Sequence, residues 1–199
     1  MPSIYKIAGV DEVGRGCLAG PVFAAAVILN NSINKDEIKD SKKISFKKRI
    51  LLSKYIKKNS IYAIGMASVY EIEKINILNA SLLSMQRALN KLKITPRMAF
   101  IDGPFAPKNT KVKCKTFIKG DEKIVCIAAA SIIAKVFRDQ FMSKLAKKYP
   151  NYRWNKNFGY GTKEHLAALK KFGITTMHRK KFRPIHNILF HASCETQKS

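Results

Sequence analysis

Two apolar runs, Ile4 to Val10 and Pro21 to Leu29, are separated by Asp11 to Gly20, a segment holding three glycines. Runs of this length rich in Val, Ile and Ala read as strands, and a glycine-rich connection between them turns the chain back on itself. The chain therefore opens with an antiparallel pair, and the later elements have to build onto that sheet and cover its faces. Tyr62 to Tyr70 reads as a third strand, Met98 to Asp102 as a short buried one stopped by Gly103-Pro104, and Lys115 to Ile118 as a weak fifth. Helical spacing marks Ser45 to Lys58, with Ile50, Leu51, Tyr55 and Ile56, and Glu71 to Leu92, with Ile75, Leu78, Leu82, Met85 and Leu89 on one face. Ile124 to Lys148 is a further helix whose Ala-rich first half is apolar enough to be buried, and Lys163 to Phe172 is a short one ended by Gly173. Asn31 to Asp40 reads as polar loop, Asn151 to Tyr160 as aromatic loop, and the tail from Thr196 as disordered. The Glu71 helix joins two strands, which implies a crossover into a parallel neighbour. The expected fold is α/β, a mixed sheet with helices on its faces.

The charge narrows what such a fold would meet. Thirty-eight Lys and Arg against 13 Asp and Glu give +25 over 199 residues. A charge of that size attracts polyanions, of which a nucleic-acid phosphate backbone is the commonest, although lysines also serve solubility. Cys17, Cys114, Cys126 and Cys194 form no C-x-x-C pair, so free thiols are expected rather than a zinc or redox site. No apolar stretch approaches the roughly 20 residues of a membrane span, and Met1 to Val10 lacks a signal-peptide pattern. A cytoplasmic protein with no membrane partner is expected.

In so basic a chain the few acids stand out. Asp11-Glu12 ends an apolar strand, where a twist of the backbone would bring two otherwise opposed carboxylates together. Ile101-Asp102-Gly103 repeats the pattern, and acids at the ends of neighbouring strands converge on one edge of a sheet. Asp139 lies within an apolar helix, where an ion pair with Arg138 or Lys135 is an equally good account. Clustered carboxylates repel one another, and a divalent cation relieves that repulsion. An oxygen-only donor set favours Mg2+ or Mn2+. With a basic surface around it, such a cluster points to phosphodiester hydrolysis with two metal ions about 4 Å apart.

The segment Gly9-Val10-Asp11-Glu12-Val13-Gly14-Arg15-Gly16-Cys17-Leu18-Ala19-Gly20-Pro21-Val22 resembles the opening motif of the type 2 ribonucleases H, the ribonuclease HII family. Asp40-Ser41-Lys42-Lys43, Ile101-Asp102-Gly103, Ala128 through Ser131 to Asp139, Gly159-Tyr160-Gly161-Thr162-Lys163-Glu164-His165 and His178-Arg179-Lys180-Lys181-Phe182 resemble its later blocks, in order. The resemblance implies a ribonuclease H-like α/β fold, with a five-stranded mixed sheet flanked by helices and a small C-terminal helical part. It also implies one domain over 1–199, with a catalytic core of about 1–148 and a substrate-contacting part of about 149–195.

The implied reaction is endonucleolytic cleavage of RNA in RNA–DNA hybrids and 5′ of single ribonucleotides in duplex DNA, leaving 5′-phosphate and 3′-hydroxyl. Its implied role is ribonucleotide excision repair by a monomer with no obligate protein partner. Asp11, Glu12, Asp102 and Asp139 take the family's metal positions. Gly14-Arg15-Gly16 takes the place of the loop that reads the ribose 2′-hydroxyl, and Tyr160 that of the ring stacking on the next sugar. Lys42 and Ser131 fall among the substrate-contacting blocks. From the residues alone, Gly14 and Gly16 fit either close approach to a sugar or plain turn chemistry, and Tyr160 either a stacking ring or a core aromatic. Lys181 departs from the family, which often has a small polar residue there. The catalytic motif begins at residue 9, leaving no room for the N-terminal domain usual in the sister type, ribonuclease HIII. Another ribonuclease H-like nuclease such as a junction resolvase, and a non-catalytic basic nucleic-acid-binding protein, are the rivals.

Overall fold

Five strands, β1 (Ile7–Val13), β2 (Val22–Leu29), β3 (Ser60–Ala67), β4 (Met98–Asp102) and β5 (Lys113–Phe117), form one mixed sheet in the order β3-β2-β1-β4-β5. The computed structural model describes residues 6–39 and 45–195, with Lys39 and residues 190–195 described by backbone alone. The expected hairpin is present, with β1 and β2 antiparallel. β3 is antiparallel to β2, while β4 joins β1 and β5 joins β4 in parallel. The crossover thus yields a parallel pair as expected, but its partner is β1, two strands away from where the crossover starts. The strand order passes over β2, which antiparallel neighbours already fill on both edges.

Eight helices are described: α1 (Asp36–Lys39), α2 (Phe46–Lys58), α3 (Val69–Asn90), α4 (Gly120–Lys123), α5 (Val125–Lys148), α6 (Trp154–Asn157), α7 (Lys163–Phe172) and α8 (Arg183–Glu195). Residues alternate across the sheet, so each strand feeds two cores. Ala25 and Val27 pack against α5 and α2. Ala8, Val10, Ala24, Ala26, Ala99 and Ile101 pack against Met85, Ala88 and Leu89 of α3. β2 is buried from Val22 to Ile28 because both of its faces are covered. Fully burying each Val or Ile of this kind contributes about 1.5–3 kcal/mol. Gly9 is where α5 sits closest: a Cβ there would lie 2.1 Å from the Cys126 backbone. That approach sets the N-terminal end of α5 directly against β1. A third core joins Leu18 and Ala19 to Met142, Trp154, Leu169 and Ile185, tying the C-terminal helices to the first turn and to the end of α5.

The structure corrects several expectations. β1 does not stop at Val10, because its ladder with β2 continues through Val13↔Phe23. β3 ends at Ala67, since Ser68 caps α3 in a capping box with Glu71 and draws Val69 and Tyr70 into the helix. α3 is not one straight helix. Asn76, at φ 64 and ψ 169, breaks it, and its side chain accepts the Asn79 N–H at 3.1 Å to restart it. That break turns Ile75 out to solvent, while Ile72 and Ala80 go into the core. β5 is Lys113–Phe117, and Ile118 is exposed. The loop at 31–40 contains α1, and the aromatic loop contains a 3-10 turn at Pro150–Tyr152 and then α6. α8 is an element the sequence reading did not anticipate; Pro184 stands in its first turn, where a missing N–H costs nothing. Among the described residues no helix is long and apolar enough to cross a membrane. The tail from Thr196 lies outside the described residues.

Candidate active site

Register places the first acids. Val10 pairs with Ile101 in the parallel ladder, so Asp11 and Asp102 are the next residues on adjacent strands pointing the same way. Gly9 faces α5, and by alternation so does Asp11, whose carboxylate accepts a hydrogen bond from Ser131 of that helix. Its Oδ1 also accepts the Glu12 N–H at 2.7 Å. Glu12 takes the opposite face and lines a small cavity with Leu78, Ser81, Leu82 and Met85 of α3, and with Asp102 to Phe105. The continued ladder of β1 is the reason the two neighbours do not swing together as expected. Asp102, the last residue of β4, accepts the N–H groups of Gly120 at 2.7 Å and Asp121 at 3.3 Å through Oδ1.

These three acids feel one another. Burial raises the Asp11 carboxyl well above its usual range, and the charges of Glu12 and then Asp102 push the same way, against the Ser131 hydrogen bond. Burial also raises Glu12, with Asp102 adding to it, while Arg15 opposes from an ion pair at 3.0 Å. Such a set favours a neutralising cation, and its donors are all oxygen, as a hard divalent ion requires. The side chains themselves are turned to protein partners. Among the described residues no three His, Cys, Asp or Glu side chains gather closely enough to share an ion. The donor chemistry fits Mg2+ or Mn2+, and the carboxylates are placed around the end of the β1–β4 pair rather than drawn to a point.

Asp139 comes from α5 rather than from the sheet. It is buried on α5 and pairs with Lys135 at 2.8 Å, the alternative its helical spacing offered. The same Lys135 ammonium lies 5.1 Å from the Phe158 ring centre and 5.6 Å from that of Tyr160. Lys135 therefore bridges the acid and the aromatic ring, a part for which the sequence reading had no place. Tyr160 is 39% exposed, so it is not an ordinary core aromatic. Burial of its hydroxyl end raises the phenol, and neighbouring Cys17 and Asp139 contribute.

Two arginines hold the turn between β1 and β2. Arg138, wholly buried, does not pair with Asp139. It donates to the carbonyls of Pro21 at 3.2 Å, Phe158 at 2.8 Å and Ala19 at 3.0 Å. Arg179, also wholly buried, donates to the carbonyls of Arg15 at 2.8 Å and Gly14 at 2.7 Å, and twice to that of Gly20 at 2.8 and 3.0 Å. Gly14 has φ 96, and a Cβ there would lie 2.2 Å from Arg138 Nε, so the fold itself demands this glycine. Gly16 has neither constraint: nothing lies within 4 Å of its would-be Cβ. Arg15 points outward to Glu12.

Arg138 and Arg179 stand inside quoted motifs, yet their roles escaped the sequence reading, since carbonyls leave no signature in a sequence. The one available signal is an arginine amid apolar residues, which needs acceptors wherever it is buried. Lys181 meets Glu73 of α3, donating from Nζ to its carbonyl at 2.6 Å. Lys42, with the rest of Asp40 to Lys43, lies outside the described residues. Cys17, Cys114 and Cys126 are free thiols, as expected.

Residues 8–185 match the family described as Ribonuclease HII. A ribonuclease HII of Pelagibacter ubique is 63% identical over 183 residues, which is 92% of this chain and 98% of that protein. The crystal structure of the ribonuclease H2 from Pyrococcus horikoshii superposes with a TM-score of 0.75 at 26% identity, covering 92% of this chain and 96% of the other. That of Bst-RNase HIII in complex with Mn2+ gives 0.73 at 18% identity, covering 94% of this chain and 70% of the other, a likeness of fold.

Proposed function

The chain belongs to the ribonuclease HII family, a metal-dependent endoribonuclease of the ribonuclease H kind, and on that premise we propose that it cuts 5′ of ribonucleotides in duplex DNA as well as the RNA strand of RNA–DNA hybrids. The observation that carries the reading is the adjacency of Asp11 and Asp102 on parallel strands, with Glu12 in the same electrostatic neighbourhood and the clamped Gly14-Arg15-Gly16 turn directly beyond.

Asp11, Glu12, Asp102 and Asp139 would hold Mg2+ or Mn2+. Bound there, two such ions would activate a water molecule and stabilise the departing oxygen. The chain supplies the rest. The Glu12 N–H fixes the Asp11 carboxylate at 2.7 Å, and Ser131 of α5 favours its charged form. The main-chain amides of Gly120 and Asp121 fix Asp102. Lys135 holds the Asp139 carboxylate on α5 through their ion pair at 2.8 Å. The turn at Gly14 to Gly16, immobilised by Arg179, presents backbone to a 2′-hydroxyl, which both donates and accepts. Tyr160 presents a ring face to the following sugar. Products would carry 5′-phosphate and 3′-hydroxyl. The whole chain acts as one domain in this reading, with residues 149–195 forming the substrate-contacting part, and the enzyme works as a monomer.

The test uses three duplexes: one DNA duplex with a single ribonucleotide, one RNA strand on DNA, and one all-DNA control, each with Mg2+, Mn2+ or chelator. The first two should be cut with metal and the control left intact. Cleavage of all three, or cleavage in chelator, would sink the reading.

A further inference from the structure

Tyr160 is attached to a buried network whose proton positions can be worked out. The wholly buried His165 has one ring nitrogen, Nδ1, 2.9 Å from the Tyr160 carbonyl oxygen. Its other nitrogen, Nε2, receives the indole N–H of Trp154 at 3.1 Å and lies 3.1 Å from His178 Nε2. Trp154 has only a proton to give, so His165 Nε2 is an acceptor. At His178, Nδ1 accepts the Thr175 N–H at 2.8 Å, which leaves the proton on Nε2, aimed at His165. Two donors meeting at His165 Nε2 force its own proton onto Nδ1. From there it has one acceptor, the carbonyl of Tyr160. Every ring in this chain of contacts is neutral and in one tautomer.

The network is also packed. Tyr152 stacks on Trp154, with centroids 5.3 Å apart, and meets His178 edge-on at 4.9 Å. Burial lowers the basicity of both histidines. Tyr160 donates its N–H to the Asn157 carbonyl at 2.9 Å, and shares its carbonyl between His165 and the Thr162 N–H, which donates to it at 2.9 Å. Its carbonyl is thus where the buried network reaches the exposed ring.

We propose that His165 is the positioning residue of Tyr160: the Nδ1–H that Trp154 and His178 impose on it tethers the Tyr160 main chain, and so holds the ring at the height where it meets the sugar after the ribonucleotide. This rests on the reading of Tyr160 as the junction-reading ring.

Two substitutions separate tether from packing. The amide nitrogen of asparagine falls where Nδ1 stood, so His165→Asn keeps the donor to Tyr160 and loses the acceptor for Trp154 and His178. Glutamine reaches the Nε2 position instead, so His165→Gln keeps that acceptor and loses the tether. The readout is the ratio of cleavage rates on the single-ribonucleotide duplex and on a long hybrid, which cancels effects common to both substrates. His165→Gln should lower the ratio about three- to ten-fold, the worth of one net hydrogen bond. His165→Asn should keep it within about two-fold while melting earlier, because buried donors lose their partner. Tyr160→Ala, measured alongside, should lower the ratio at least as far.

A wild-type ratio in His165→Gln beside a lowered ratio in Tyr160→Ala overturns the tether and spares the reading of Tyr160. A wild-type ratio in Tyr160→Ala overturns that reading, and the tether's purpose with it. Long-range proton–nitrogen spectra of the imidazoles in the unsubstituted protein decide the matter even where a variant fails to fold. They should show His165 protonated at Nδ1 and His178 at Nε2, and a proton on Nε2 of His165 overturns the proposal.

Discussion

Gly14 and Gly16 stand two residues apart in the turn after β1, and alanine at each should have opposite consequences. At Gly14 the backbone has φ 96, where an L-residue costs roughly 1–2 kcal/mol. The new methyl would also lie 2.2 Å from Arg138 Nε and 2.8 Å from its Cδ. Arg138 is fully buried and spans three carbonyls, so it cannot yield without giving up at least one of them. Losing a hydrogen bond to a charged group costs about 1.5–3 kcal/mol. Gly14→Ala should therefore destabilise the protein by about 3–5 kcal/mol, or roughly 6–20 °C in melting temperature for a chain of this size.

Gly16 has no left-handed φ and no neighbour within 4 Å of its would-be Cβ. Alanine there should change stability by less than about 0.5 kcal/mol. If the turn lies against a sugar, that methyl should still slow cleavage of the single-ribonucleotide duplex, by about ten- to a hundred-fold if it displaces the reacting group by about an ångström. Thermal unfolding followed by circular dichroism and a gel cleavage assay read the two effects separately. A Gly14→Ala protein melting within a degree or two of wild type would refute the clamp argument. A Gly16→Ala protein cutting at the wild-type rate would refute contact between turn and substrate.

Replacing Asp11 or Asp102 with asparagine should cut turnover by orders of magnitude while duplex binding, measured by fluorescence anisotropy, is retained, because the basic surface is untouched; near-normal cleavage by Asp11→Asn in Mg2+ would show the site to be elsewhere. With +25 overall, binding of such an inactive protein to duplex DNA should weaken steeply with salt, with a slope in log–log terms of about −0.9 per phosphate neutralised, and a flat titration would mean that the lysines face away from substrate. Burial, aided by His165, lowers His178 from 6.5 to about 4. Between those values only the unfolded chain takes up the proton, so stability is complete above pH 6.5 and falls by about 3 kcal/mol as pH drops toward 4. Denaturant midpoints at pH 7, 6 and 5 should show the fall, and His178→Gln should flatten it; an equal fall in the variant would assign the loss to other groups.

The sheet was largely legible because its strands obey local rules: apolar runs of strand length, a glycine-rich turn and a chain breaker after Asp102. The candidate acids were legible because a carboxylate at the end of an apolar run has no packing reason to be there. Their orientations were not. Whether Asp11 and Glu12 share a face depends on how far the β1–β2 ladder runs, and Val13↔Phe23 is a pairing between strands, not a local preference. The break at Asn76 escaped because asparagine is compatible with a helix; its φ of 64 reflects the demand to bury Ile72 and Ala80 in one core and Met85 in another. Arg138 and Lys135 both read as candidate partners for Asp139, and Arg138 is the one beside it in sequence. In a helix, however, consecutive side chains point about 100° apart, and the two ended with different partners. α8 escaped because its packing onto Leu18 and Ala19 is known only once the first turn has a place in space.

The clamp on that turn also has a history in time. Arg179 closes a turn whose carbonyls lie 159 to 165 residues earlier in the chain. At about 5–20 residues per second, a ribosome adds Arg179 roughly 8–33 s after Gly14. During that interval β1, β2 and β3 can pair and the acids of β1 are already made, while the turn beside them still lacks one of its two anchors. A chain released before the His178-Arg179 segment would carry the carboxylates beside a turn that Arg138 alone holds. Synthesis order thus leaves the turn between β1 and β2 without its second anchor until the chain is complete through this segment.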